Sequence, residues 1–193
     1  MKSICVFCGS SPGNRPEYGQ AAIQLGREIA KRQLHLVYGG ANLGLMAAVA
    51  NTVLEEGGQV TGVIPQALVK KEVVHTGLTD LRIVASMHER KALMADLADG
   101  FIALPGGMGT LEELCEILTW AQLGLHAKPC GLLDVCDYYR HLKRFFSHMV
   151  EERFLKPEYE GLVLADAGPA QLLDMFEQYE PVCLPKWIDR GAT

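Results

Sequence analysis

Phe101-Ile-Ala-Leu-Pro105-Gly-Gly-Met-Gly-Thr110-Leu-Glu-Glu113 decides how this chain is read. An apolar run from Gly100 to Leu104, the length of a strand, passes through a glycine-rich loop straight into a helical stretch, Thr110 to about Leu123. That order of strand, loop and helix recurs on both sides. Further apolar runs lie at Ser3 to Cys8, His35 to Tyr38, Gln59 to Ile64, Leu81 to Ala85, Cys130 to Leu133 and Leu162 to Ala165. Most are apolar throughout, as strands covered on both faces must be. Residues at helical spacing fill the gaps: Tyr18, Ala22, Leu25 and Ile29, then Met46 to Leu54 ending at Gly57-Gly58. Ser86 to Ala98, Tyr138 to Glu152 and Pro169 to Gln178 continue the series. The pattern predicts an α/β fold, a doubly wound parallel sheet of about seven strands.

The 193 residues fit one domain, over 1–180, with an irregular tail over 181–193 that packs on the core or on a partner chain. Apolar residues make up 49% and charged residues 21%, which excludes a disordered or low-complexity chain. No apolar run is long enough for a membrane helix. Met1-Lys2 is followed by too short an apolar stretch for a signal peptide, so six cysteines read as reduced thiols in a cytoplasmic protein. With a net charge of -5, no global basic field exists to hold nucleic acid or an anionic membrane. An anionic ligand therefore needs a local site.

In a doubly wound sheet such sites lie in the loops after the strands. Three of these are glycine-rich: Gly9-Ser-Ser-Pro-Gly13, Gly39-Gly-Ala-Asn-Leu-Gly44 and Pro105-Gly-Gly-Met-Gly-Thr110. None fits G-x-G-x-x-G, so the sheet is Rossmann-like without the dinucleotide fingerprint. Gly39 to Gly44 has the frame of a P-loop but runs into Leu45-Met46 where Lys and Ser or Thr are needed, which argues against an NTPase. In the third loop, Gly106, Gly107 and Gly109 let backbone approach a ligand, and helix N-terminal N–H groups can bind phosphate. Thr110 to Glu113 also has the spacing of a capping box, so Glu113 is open to two readings, cap or functional carboxylate.

Ser86 to Glu89 is a second capping box, after which Arg90 falls in register with Leu93, Met94 and Leu97 on the inward stripe of a helix. A half-buried guanidinium needs an anion, either a ligand or an internal partner such as Glu113. Lys91 reads as a surface residue. Cys5-Val-Phe-Cys8 places its thiols on opposite faces of a strand, which suits neither metal nor disulfide. The six histidines show no zinc-type spacing, and no Ser sits in a G-x-S-x-G elbow, so neither a metal nor a hydrolase triad is expected.

Met87-His-Glu-Arg-Lys91 together with Pro105-Gly-Gly-Met-Gly-Thr-Leu-Glu-Glu113 resembles the signature of the LONELY GUY family, cytokinin-activating phosphoribohydrolases often mislabelled as lysine decarboxylases. The likeness extends through Cys5-Val-Phe-Cys-Gly-Ser-Ser11, Val37-Tyr-Gly-Gly40, Gly44-Leu-Met46, Gly62-Val-Ile-Pro65, Thr119-Trp-Ala-Gln-Leu-Gly124 and Lys128-Pro129. It covers residue 3 to about residue 155. The resemblance implies a homodimer without cofactor that hydrolyses the N-glycosidic bond of a purine nucleoside 5′-monophosphate to free base and ribose 5-phosphate. It implies Arg90 and Glu113 as the catalytic pair. Glu72, Lys91, Gly106, Gly107, Met108, Gly109, Thr110, Leu111, Glu112 and Thr119 are then the substrate-binding positions. A nucleotide-cofactor carrier without turnover is the alternative; the decarboxylase label finds no lysine persuasively placed for a Schiff base with pyridoxal phosphate. Trp120, Leu123 and Leu125 exceed what one inward stripe through Leu114, Ile117, Leu118 and Ala121 needs, so this helix is expected near a subunit interface, or under the tail with Trp187 as a plug.

Overall fold

The computed structural model describes residues 1–69 and 74–181. Its elements follow in chain order: β1 (Ser3–Phe7), α1 (Pro16–Lys31), β2 (His35–Tyr38), α2 (Gly44–Glu55), β3 (Val60–Pro65), the one-turn α3 (Gln66–Val69), β4 (Asp80–Val84), α4 (Met87–Leu97), β5 (Phe101–Ala103), α5 (Met108–Gln122), β6 (Cys130–Leu133), α6 (Arg140–Glu151), β7 (Val163–Asp166) and α7 (Pro169–Glu177). Short 3-10 turns precede α6 at Val135–Asp137 and β7 at Pro157–Leu162. All seven expected strands are present, each within a residue or so of its expected ends.

The sheet runs β4-β3-β2-β1-β5-β6-β7, and every neighbouring pair is parallel. The chain steps outward from β1 to β4, then crosses back and steps outward the other way from β5 to β7. Right-handed crossovers put α1, α2 and α7 on one face and α4, α5 and α6 on the other. Two principal cores follow. Ile4, Val6, Leu25, Val49 and Leu172 meet on the first face; Cys5, Phe7, Met94, Phe101 and Ile117 meet on the second. Cys5 and Cys8 belong to opposite cores, as their odd spacing on a strand dictates. Central β3, β5 and β6 are buried throughout, whereas edge strands β4 and β7 are only partly covered.

Strand order reverses between β1 and β5, and there the loops after these strands frame a crevice at the carboxyl edge. Gly44 holds this edge together. Its φ of +53° lies in the left-handed region, and a Cβ there would collide with the Ser10 carbonyl carbon. We expect Gly44→Ala to cost about 1–3 kcal/mol in strain, read as a lower urea midpoint at unchanged m-value.

Candidate active site

The three glycine segments meet at Gly9. Its N–H donates to Pro105 O at 3.1 Å and its carbonyl accepts from Leu45 N at 3.0 Å. A Cβ on Gly9 would press on the Gly106 Cα at 3.3 Å, so glycine lets the first and third loops close on one another. The crevice they frame has a volume of about 240 Å³ and is lined by Gly9–Gly13, Tyr18, Leu45, Pro105–Gly107 and Tyr138.

Helix α5 opens onto this crevice without a cap. It begins at Met108, two residues earlier than its sequence suggests, with Gly107 as an N-cap that supplies no side-chain bond and no acidic residue in the first turn. The expected Thr110–Glu113 capping box therefore does not form: Thr110 is the third helical residue and Glu113 sits in the second turn. Among the described residues, the N–H groups of Gly107, Met108, Gly109 and Thr110 find no acceptor. Thr110 is buried, its hydroxyl in the space a Cβ on Gly106 would fill; Met108 is 81% exposed. The Ser86 cap does form, with its reciprocal bond shifted by one residue: Ser86 Oγ accepts from Glu89 N at 3.1 Å, and the Glu89 carboxylate accepts from Ala85 N at 2.7 Å.

Freed from capping, Glu113 turns inward to Arg90. Arg90 Nη1 donates to Glu113 Oε1 at 2.8 Å, and both side chains are nearly buried. Arg90 Nε donates to Val63 O at 3.0 Å, while Nη2 occupies the space a side chain at residue 39 would need. Gly39 is thus required by the guanidinium, a role no turn motif announces. Glu113 Oε2 has no protein partner among the described residues. Burial pushes the Glu113 carboxyl above the usual carboxylate range, against the pull of Arg90. Of the two sequence options for Arg90, the internal pair with Glu113 forms, beside the carboxyl end of β3.

Lys91 corrects a second expectation. It is buried, not on the surface, and its Nζ donates to Glu112 and, at 3.0 Å, to Glu116. Burial opposes its charge, but the two carboxylates outweigh burial and raise its pKa. The buried face of α4 is Lys91, Met94, Ala95 and Ala98, and Leu97 points to solvent. The chain accordingly rotates α4 so that adjacent residues Arg90 and Lys91 both reach α5.

Two tyrosines escaped the sequence reading. Tyr139 Oη donates to Leu104 O at 2.6 Å, and Tyr138 Oη donates to Gly106 O at 2.5 Å. Their only signal is position, directly after a strand on the same sheet edge. Of the remaining expected residues, Glu72 lies outside the described residues, as do the tail beyond residue 181 and Trp187. Leu111 lines a shallow recess with Met108, Tyr138 and Leu142 on the outer side of the loop. Thr119 is not brought to Glu113. It lies about 9 Å further along the helix axis, bonds to Cys115 O, and lines an apolar groove with Leu118, Phe146, Met149 and Leu155. Trp120, Leu123 and Leu125 are half-buried within their own chain, Trp120 against the core beneath α4.

The family model described as possible lysine decarboxylase matches residues 46–176. A cytokinin riboside 5′-monophosphate phosphoribohydrolase of Arabidopsis thaliana is 49% identical over 181 residues, covering 94% of this chain and 83% of that protein. One of Rhodococcoides fascians is 52% identical over 164 residues, covering 84% and 83%. Among solved structures, the molybdenum cofactor binding protein of Rippkaea orientalis superimposes with a TM-score of 0.70 at 20% identity, over 92% of this chain and 97% of that one, a likeness of fold alone. Near half identity along almost the whole chain, with the family model matching residues 46–176, decides the matter: the chain belongs to the LONELY GUY family of cytokinin riboside 5′-monophosphate phosphoribohydrolases.

Proposed function

We propose that this protein hydrolyses the N-glycosidic bond of a purine nucleoside 5′-monophosphate, of AMP or cytokinin type, releasing free base and ribose 5-phosphate. The observation that carries the reading is the uncapped α5: among the described residues, one helix offers N–H groups without an acceptor at its start and, one turn on, a buried carboxylate with one oxygen unpartnered. The 5′-phosphate sits on the N–H groups of residues 107–110, where the helix dipole favours an anion. This sets the ribose over Glu113. As the base departs, positive charge develops on the sugar, and Glu113 Oε2 stabilises it and orients the attacking water. Arg90 stays protonated, so it is no general acid; it holds Glu113 ionised against burial and fixes its orientation. Lys91 anchors Glu112 and Glu116, keeping α4 and α5 in register.

The active unit is a homodimer. Helix α6 buries no residue fully, Phe145 and Phe154 are 55% and 86% exposed, and the groove between α5 and α6 is apolar. A second copy on this face covers the groove, and Thr119 then belongs to a site completed across the interface.

Four outcomes are expected. Incubation with AMP or isopentenyladenosine monophosphate liberates free base by chromatography, whereas the matching nucleosides react with kcat/KM about 10- to 100-fold lower for want of the phosphate contacts; equal rates for nucleotide and nucleoside refute the phosphate seat. Glu113→Gln stays folded but loses at least about 100-fold in kcat. Because burial raises the Glu113 pKa, wild-type activity falls on acidification from a higher pH than an exposed carboxylate would set. Light scattering gives twice the 21.1 kDa chain mass, and activity falls on dilution in step with dissociation; a fully active monomer would refute the shared site.

A further inference from the structure

The Pro105–Gly109 loop is rich in glycine, the residue that loses most conformational entropy on being fixed, yet a phosphate seat needs its N–H groups already aimed. Three successive carbonyls of the loop are tied. Leu104 O accepts from Tyr139 Oη, Pro105 O from Gly9 N, and Gly106 O from Tyr138 Oη. Among the described residues the N–H groups of residues 107–110 have no acceptor, next to the crevice that Gly106 and Gly107 line. The last tie is the most consequential. No peptide bond is cis, so the Gly106 carbonyl and the Gly107 N–H lie on opposite sides of one planar unit; holding the oxygen toward Tyr138 turns the N–H the other way.

Tyr138 is itself braced for this. Its ring meets Tyr18 edge-on at 5.8 Å and Tyr139 edge-on at 5.0 Å. The preceding turn carries Cys136 and Asp137 at positive φ and is closed by buried Asp134, whose Oδ1 accepts from Tyr139 N at 2.7 Å and whose Oδ2 pairs with Lys143 at 2.5 Å. Adjacent side chains are thereby delivered to alternate carbonyls of another loop. Tyr138 keeps 42% of its surface exposed and lines the crevice, so its hydroxyl adds little to the core.

We propose that Tyr138 is a positioning residue for phosphate: its hydroxyl fixes the Gly106–Gly107 peptide so that the amino end of α5 is organised for the 5′-phosphate before substrate arrives. The inference rests on the phosphate seat proposed above. It is tested with the full chain by calorimetric titration of ribose 5-phosphate into wild type and Tyr138→Phe, alongside steady-state kinetics on AMP and on the nucleoside. Loss of one hydrogen bond from a preorganised anion seat is expected to weaken ribose 5-phosphate binding about tenfold and to raise KM for AMP by a similar factor. Little change is expected in kcat, in the slow nucleoside reaction or in the thermal midpoint. Wild-type affinity in Tyr138→Phe overturns the positioning role while the phosphate seat stands. A lowered thermal midpoint with unchanged KM overturns it in favour of a purely structural role. Failure of the wild-type protein itself to bind ribose 5-phosphate overturns the seat, and the inference with it.

Discussion

The buried pair between Arg90 and Glu113 is the constraint around which the carboxyl edge is arranged. Two charges of this kind seldom add net stability: well-packed apolar residues often do as well, while removing one partner costs about 3–5 kcal/mol by stranding the other. The surroundings are accordingly built to tolerate them. Gly39 withdraws its side chain from Nη2, Val63 offers a carbonyl to Nε, and Lys91 holds the two other carboxylates of α5 away from the pair. A costly arrangement supported from three sides fits the catalytic role proposed for that position.

The contrast between two helix starts makes the same point. Helices α4 and α5 begin on the same edge of the same sheet and pack on one another. The first is closed by Ser86 and has Glu89 in its first turn; the second has neither cap nor acid. Orphan N–H groups at a helix start are ordinarily satisfied by side chains or water, so an open α5 at the strand-order reversal leaves backbone N–H groups there to attract an anion. The negative net charge of the chain need not be overcome globally.

The fold was legible because apolar runs of strand length alternate with helical periods, and these patterns are local. Arg90 and Glu113 were legible as a pair through motif resemblance, and physically as a guanidinium in need of an anion. What failed was phase and reach. Helix α5 starts inside Met108-Gly109, residues that carry no helix-start signal, so the box at Thr110–Glu113 was misread. Helix α4 is rotated by one residue from its best apolar stripe because Lys91 is neutralised from another helix, and sequence spacing carries no record of cross-helix partners. The tyrosines at 138 and 139 act on residues more than thirty positions earlier, through backbone oxygens that have no sequence signature.

Helix α6 completes the picture in a different currency. A helix with no fully buried side chain is held by few apolar contacts and belongs to the low end of the local unfolding scale. Its first turn adjoins the two tyrosines that tie the glycine loop, so opening of α6 would be a fluctuation that also loosens those ties. Whatever covers α6 suppresses that fluctuation, as does whatever fills the amino end of α5. On the phosphate seat and interface proposed above, thermodynamic linkage would make each tighten binding of the other by the same factor, so the outer face of this helix and the amino end of α5 would form two ends of one reciprocal equilibrium.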